Sequence, residues 1–370
     1  MKKIVVFLIL LINFLTFSVC AIDISAIQEQ IVPNSELQNL VTGSALDILG
    51  DITINNSTDF ANEFQGIIGR CKVYVNEVFA KTTTIMVEIL IILIISSIAS
   101  GFCTANEINS VNSYINMATA LSVSSVILLD VRSVLTLCMQ SIAEIDILSK
   151  GLMPTMVTAI SVSGAPTTAA IHYAATMFAF DLIITLINRV MFPFTYIYIS
   201  IITVNAAISS EILLKLADFI KWSVNGSLKI IVTAFITYIS ISGAVSGKAD
   251  IFAIKTTKLV VSSAIPVVGS IISDASESIL VGASVIKNSI GIFGIFAVIS
   301  ICLIPIIYIL ANFFAFKIMA VIVSIISSKN IINLLDGISS SFNMALAMIC
   351  SSASILFIMM VVSIILVGDV

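Results

Sequence analysis

Residues 290–311 read IGIFGIFAVISICLIPIIYILA, a run without a single charge. As a helix at 1.5 Å per residue it covers about 33 Å, enough for the roughly 30 Å of hydrocarbon in a bilayer. Alone, it is either a membrane span or the middle of a large soluble core. The rest of the chain decides between them. Comparable runs occupy Ile85 to Cys103, Ala174 to Ser209, Ile230 to Val245, Phe313 to Ile326 and Met344 to Val367. Across 370 residues, 59% are hydrophobic and 10% charged, where soluble chains carry about 45–50% and 25%. A mean hydropathy of +1.17 over the whole length leaves no room for a soluble domain on a single anchor, so the excess apolar surface faces lipid. The expected fold is an all-α, polytopic membrane helix bundle over residues 84–370.

The run from Ala174 to Ser209 is too long for one crossing and is interrupted by Asn188-Arg189, so a tight turn between two helices is expected there. Tyr114 to Leu129 and Leu152 to Ile171 are weaker spans, rich in small residues that suit close helix approach or a re-entrant turn. Together these give about eight spans. Lys248, Lys255 and Lys258 ask for a cytoplasmic loop, yet so do Lys215, Lys221 and Lys229, and one crossing cannot satisfy both. Either Ile230 to Val245 is half of a re-entrant pair or Leu213 to Trp222 lies as an amphipathic helix in the interface, and the second is the expectation.

The N-terminus carries Lys2 and Lys3, then an apolar run from Ile4 to Phe17, then Val19 and Ala21. That pattern predicts a signal peptide over 1–21, either cleaved after Ala21 or kept as an uncleaved anchor. Residues 22–83 would follow it outside the cytoplasm. They hold eight acids against Arg70, Lys72 and Lys81, and from Phe60 to Phe79 their apolar residues recur at spacings of three and four, an amphipathic helix entering the first span. Cys71, Cys103, Cys138, Cys302 and Cys350 are dispersed and act as small hydrophobes.

An internal repeat is visible. Pro154 to Pro266 and Pro193 to Pro305 share one 112-residue offset, and a small shift aligns Asp218, Ile220, Ser223, Asn225 and Leu228 with Asp336, Ile338, Ser341, Asn343 and Leu346. On this reading 150–250 and 262–367 are duplicated halves.

Catalysis needs converging polar groups, and no zincin, nucleophile-elbow, phosphate-loop or dinucleotide motif is present. With a lone histidine, His172, and no CxxC, neither a metal centre nor a cofactor site is expected. Charges inside spans are the stronger functional signal because each costs about 2.5 kcal/mol or more to insert. Asp181, Arg189 and Lys317 are such charges. Asp181 could line a solute path or form a structural pair; for Arg189 and Lys317 snorkelling to the interface is the plainer reading. A different signal comes from 262–288, with Asp274, Glu277, Lys287 and Asn288 among serines. It is too polar to face lipid and too apolar for a loop, so it is either a conduit-lining or re-entrant element or an amphipathic surface hairpin.

At Ser242-Gly243-Ala244, Asp250, Lys258, Ile265-Pro266-Val267-Val268-Gly269, Lys287-Asn288 and Gly291 the chain resembles the stage III sporulation protein AE family of endospore-forming bacteria. The resemblance covers nearly the whole chain and is strongest from about 95 to 320. It implies a non-enzymatic subunit of the channel-like, secretion-like apparatus joining mother cell and forespore after engulfment. The location implied is the mother-cell membrane around the forespore. The implied partners are other membrane and ring-forming proteins of the same operon, a cytoplasmic ATPase, indirectly a forespore-side membrane protein, and further copies of this chain; nucleic acid is not among them. Gly243, Asp250, Pro266, Gly269, Asp274, Glu277, Lys287, Asn288 and Gly291 become the candidate family-motif or conduit-lining residues. The rival readings are a stand-alone secondary transporter built around Asp181 and a non-conducting scaffold.

Overall fold

A computed structural model describes residues 60–105, 109–162, 166–264, 269–325 and 327–365. The expected signal peptide, the acidic segment as far as Asp59, and Pro266 lie outside the described residues. All regular structure described is helical: α1 Phe60–Ala105, α2 Asn109–Val162, α3 Pro166–Leu186, a π-helical turn Ile187–Met191, α4 Phe192–Ile208, α5 Glu211–Ala264, α6 Gly269–Val323 and α7 Lys329–Ile365. The amphipathic stretch from Phe60 runs without a break into the first apolar run, as its periodicity predicts.

Among the described residues six helical segments are long and apolar enough to cross a membrane: Lys72–Cys103, Val111–Thr158, Tyr173–Ile208, Glu211–Tyr238, Phe293–Val323 and Lys329–Ser363. That is fewer than the eight expected, for identifiable reasons. Asn188-Arg189 is not a turn. The chain passes through it as a π-helical turn in which the Phe192 N–H donates to the Ile187 carbonyl five residues back. Pro193, in the first turn of α4, has no N–H to offer the preceding turn, and a wider π turn absorbs that missing bond without breaking the helix. The apolar run 290–311 and the second run from Phe313 as far as Val323 lie in one helix, α6, where Pro305 is internal.

Two further expectations are corrected. Leu213 to Trp222 is not a separate interfacial helix but the opening turns of α5, which buries Ala217, Ile220, Val224 and Leu228 at spacings of three and four. Nor is 247–258 a loop, since α5 continues through it to Ala264. One unbroken helix sets Lys221 and Lys248 about 40 Å apart at 1.5 Å per residue. The two basic clusters can therefore occupy different levels without a re-entrant pair. Of the polar stretch 262–288, residues 262–264 end α5 and 269–288 form the first turns of α6; the residues between lie outside the described residues.

The core is the α6–α7 hairpin, with α2 against both arms, α1 against α2 and α6, α4 against α7, and α5 against α3, α4 and α7. Phe293, Phe296, Phe316, Phe342, Met359 and Met360 are almost wholly enclosed, and the Phe316 and Phe342 rings stack with centroids 5.7 Å apart. Two glycines permit the closest helix approaches. A Cβ on Gly337 would lie 2.7 Å from Ile202 Cγ2, and one on Gly294 would lie 2.9 Å from Leu152 Cδ1. The α4–α5 connection closes through Ser209 at φ 62°, whose N–H reaches the Asn205 carbonyl at 2.8 Å. The Asn205 side chain then accepts the Ser210 N–H at 2.9 Å.

Candidate functional site

A hairpin crossing a membrane keeps its charges out of the apolar level, and α1–α2 obeys this. No charge occurs from Ile89 to Ala105 or from Asn109 to Leu129, and the arms are tied by Ser96 to Thr119 and by Ser100 to Asn112. Where both runs end, Lys81 Nζ meets Asp130 Oδ1 at 3.4 Å. The Asp130 side chain is 3% exposed and that of Lys81 45%. From α6, Tyr308 places its ring 5.9 Å from the same ammonium, within range of a cation–π attraction. Asp130 Oδ2 is buried without a hydrogen-bond partner, so Lys81 is its main compensation.

In front of this pair opens a cleft of about 620 Å³. Tyr74, Glu77 and Lys81 line it from α1; Arg132, Ser133, Thr136 and Gln140 from α2; Ile304 and Tyr308 from α6. Sequence reasoning missed it. Asp130 ends an uncharged apolar run and does not interrupt one, so it lacks the signal of a charge inside a span, and its partner lies 49 positions earlier, where only the hairpin brings them together.

A second polar cluster joins α4 to α7 near their connections. Lys317 on α6 forms an ion pair with Asp336 on α7. Lys221 on α5 donates to Ser340 Oγ at 2.8 Å, Ser339 Oγ donates to the Phe313 carbonyl at 3.3 Å, and Asn330 reaches Ser209. Lys317, expected to snorkel, has a carboxylate partner across the hairpin.

Asp181 does not face an enclosed space. Its side chain is 60% exposed and accepts from Lys150 Nζ at 3.1 Å, while Lys150 also holds Asp146 at 2.7 Å. Asp181 shares a shallow groove with Phe178, Leu182 and Arg189. Arg189 is exposed on the π turn and has no ion pair among the described residues.

The remaining expected residues are distributed over two helices. Gly243 and Asp250 fall in the second half of α5; Gly269, Asp274, Glu277, Lys287, Asn288 and Gly291 fall in the first half of α6. Gly291 is buried. Apart from Gly291, their side chains lie outside what the structure describes.

A family model described as stage III sporulation protein AE matches residues 49–368. A curated relative, stage III sporulation protein AE of Bacillus subtilis (strain 168), is 26% identical over 190 residues, covering 51% of this chain and 48% of the relative. The alignment thus spans about half the length of that relative. No solved structure matches.

Proposed function

Because the chain belongs to the stage III sporulation protein AE family, we propose that it is a non-enzymatic membrane subunit of the assembly joining mother cell and forespore after engulfment, supplying one wall of a conduit or export gate. The observation that carries this reading is the filled centre of the bundle. Phe293, Phe296, Phe316, Phe342, Met359 and Met360 occupy the middle at 0–1% exposure, so a passage through this chain alone would have to expel a close-packed core. A conduit then runs between chains, and its wall is completed by further copies or by partners: the ring-forming and membrane proteins of the same operon, a cytoplasmic ATPase, and through them a forespore-side membrane protein. The location that fits is the mother-cell membrane around the forespore. The first turns of α6, with Asp274, Glu277 and Lys287, are the stretch proposed to line it.

The permease reading needs Asp181 to face a central cavity, whereas that carboxylate is exposed and paired with Lys150. Purification from sporulating cells in mild detergent tests the proposal. An assembly with several copies or partners is expected, and a monomer that moves solute on its own in liposomes would overturn it.

The second polar cluster also supports a duplication of the hairpins within 150–250 and 262–367. α5 begins at Glu211 and α7 at Lys329, the same 118-residue offset that separates Asp218 from Asp336. Ala217, Ile220, Val224 and Leu228 are buried, as are Leu335, Ile338, Phe342 and Leu346 at that offset. Between Pro193 and α5, an arm and connection each three residues shorter than those after Pro305 account for the change from 112 to 118. Superposing α4–α5 on the end of α6 and α7 with these registers tests it, and failure to superpose over both helices would end it.

A further inference from the structure

We propose that the cleft at Lys81, Arg132 and Tyr308 is a binding site for one phospholipid whose headgroup pairs a phosphodiester with a primary ammonium, as in phosphatidylethanolamine. Its position is the first reason. The α1–α2 hairpin turns an apolar face outward through Val87, Ile91, Ile95, Phe102, Met117 and Leu121. The uncharged part of α1, Ile89 to Ala105, is about 25 Å long at 1.5 Å per residue, close to the hydrocarbon thickness of a bilayer. The cleft opens beyond the uncharged runs, where Glu77, Lys81 and Arg132 gather on the two arms, which is the level of lipid headgroups when the tails lie along the hairpin.

Its chemistry is the second reason. Arg132, Thr136 and Gln140 recur every four residues on α2 and so share one face. All three are exposed, and Arg132 has no ion pair among the described residues. Lys81 is held beside them by Asp130, whose side chain is buried and whose second oxygen has no partner. A guanidinium, an ammonium and neighbouring hydroxyl and amide donors are the set that recognises phosphate oxygens. Glu77, one turn before Lys81, lines the same cleft and selects among phosphates. Its carboxylate repels a doubly charged free phosphate but attracts an ammonium joined to a phosphodiester. Tyr74 and Tyr308, both lining the cleft, are the residue type that gathers at membrane interfaces and offers ring faces to cations. The Lys81–Asp130 pair, with its carboxylate buried and its ammonium reaching the cleft, is the fixed floor, and Arg132 and Glu77 are the two arms that sort the headgroup.

Native mass spectrometry of the full chain in detergent tests this with four probes: phosphatidylethanolamine, phosphatidylglycerol, diglucosyl diacylglycerol and inorganic phosphate. One phosphatidylethanolamine should be retained most strongly, phosphatidylglycerol less, and the phosphate-free glycolipid not above background. Arg132→Gln should lower phosphatidylethanolamine occupancy about tenfold, the loss expected for one charge-assisted hydrogen bond. Glu77→Gln should remove the preference over phosphatidylglycerol while leaving phosphate-dependent binding intact. Both side chains are exposed, so both variants keep the fold, checked by unchanged thermal unfolding without added lipid. Equal retention of the glycolipid, no effect of Arg132→Gln, an unchanged preference in Glu77→Gln, or displacement of the lipid by millimolar inorganic phosphate would each overturn the proposal.

Discussion

Replacing Lys81 by Met should destabilise the protein much more than replacing its partner Asp130 by Asn. The two ends of this ion pair sit in different surroundings: 45% of the Lys81 side chain is exposed and 3% of that of Asp130. Lys81→Met keeps the aliphatic stem but strands a buried carboxylate whose other oxygen already lacks a partner. Breaking a buried pair from that side costs about 3–5 kcal/mol. Asp130→Asn removes the buried charge and frees an ammonium that already reaches the cleft, for a cost of about 1 kcal/mol, the scale of an exposed pair. The double variant removes both charges and should resemble Asp130→Asn, so the two single costs fail to add by about 3–5 kcal/mol. Thermal or denaturant unfolding of the purified chain in one detergent, with all four proteins side by side, measures this. Equal costs for the single variants, or additivity in the double, would show that Lys81 does not compensate Asp130 and would remove the floor from the proposed headgroup site.

Gly337→Ala places a methyl 2.7 and 2.8 Å from Ile202 Cγ2 and Cδ1; overpacking of about 1–3 kcal/mol should exceed the helix-propensity gain of about 1 kcal/mol. Adding Ile202→Ala should cost less than the sum of the two single changes in the same unfolding assay. Asp181→Asn should be tolerated, shifting stability by less than about 1 kcal/mol and leaving spore formation intact in a complementation assay, because Lys150 retains Asp146. Exchanging Lys317 and Asp336 together should restore membrane levels of the protein that Lys317→Asp alone lowers, as judged by immunoblot of membrane fractions.

Much of the architecture was legible before any coordinates. The apolar runs lie in helices, and the amphipathic stretch after Phe60 continues into the first of them. What misled was local polarity read as a break. Asn188-Arg189 interrupts hydropathy but not the backbone, because a helix can widen by one residue around Pro193. Lys248 to Lys258 looks like a loop, yet nothing in it terminates a helix: no proline lies between Pro193 and Pro266. The site was less legible for a different reason. Lys317 could be picked out by its apolar surroundings, but its partner Asp336 follows a connection and a helix start. Asp130 was passed over because it stands at the end of an uncharged run, not inside it, and its compensating charge belongs to another helix. Pairing across helices is a property of packing, which hydropathy along the chain does not reveal.

A conduit lined by this chain and completed by its neighbours is tested most directly at the first turns of α6. Single cysteines at Asp274, Glu277, Gly282 and Lys287, in a chain stripped of its native cysteines, can be exposed to a water-soluble maleimide in intact complexes and again after the complexes are dissociated. A conduit wall predicts labelling at several of these positions in the intact complex, reduced by a large soluble blocker placed in the passage. No labelling at any position in the intact complex would contradict the account.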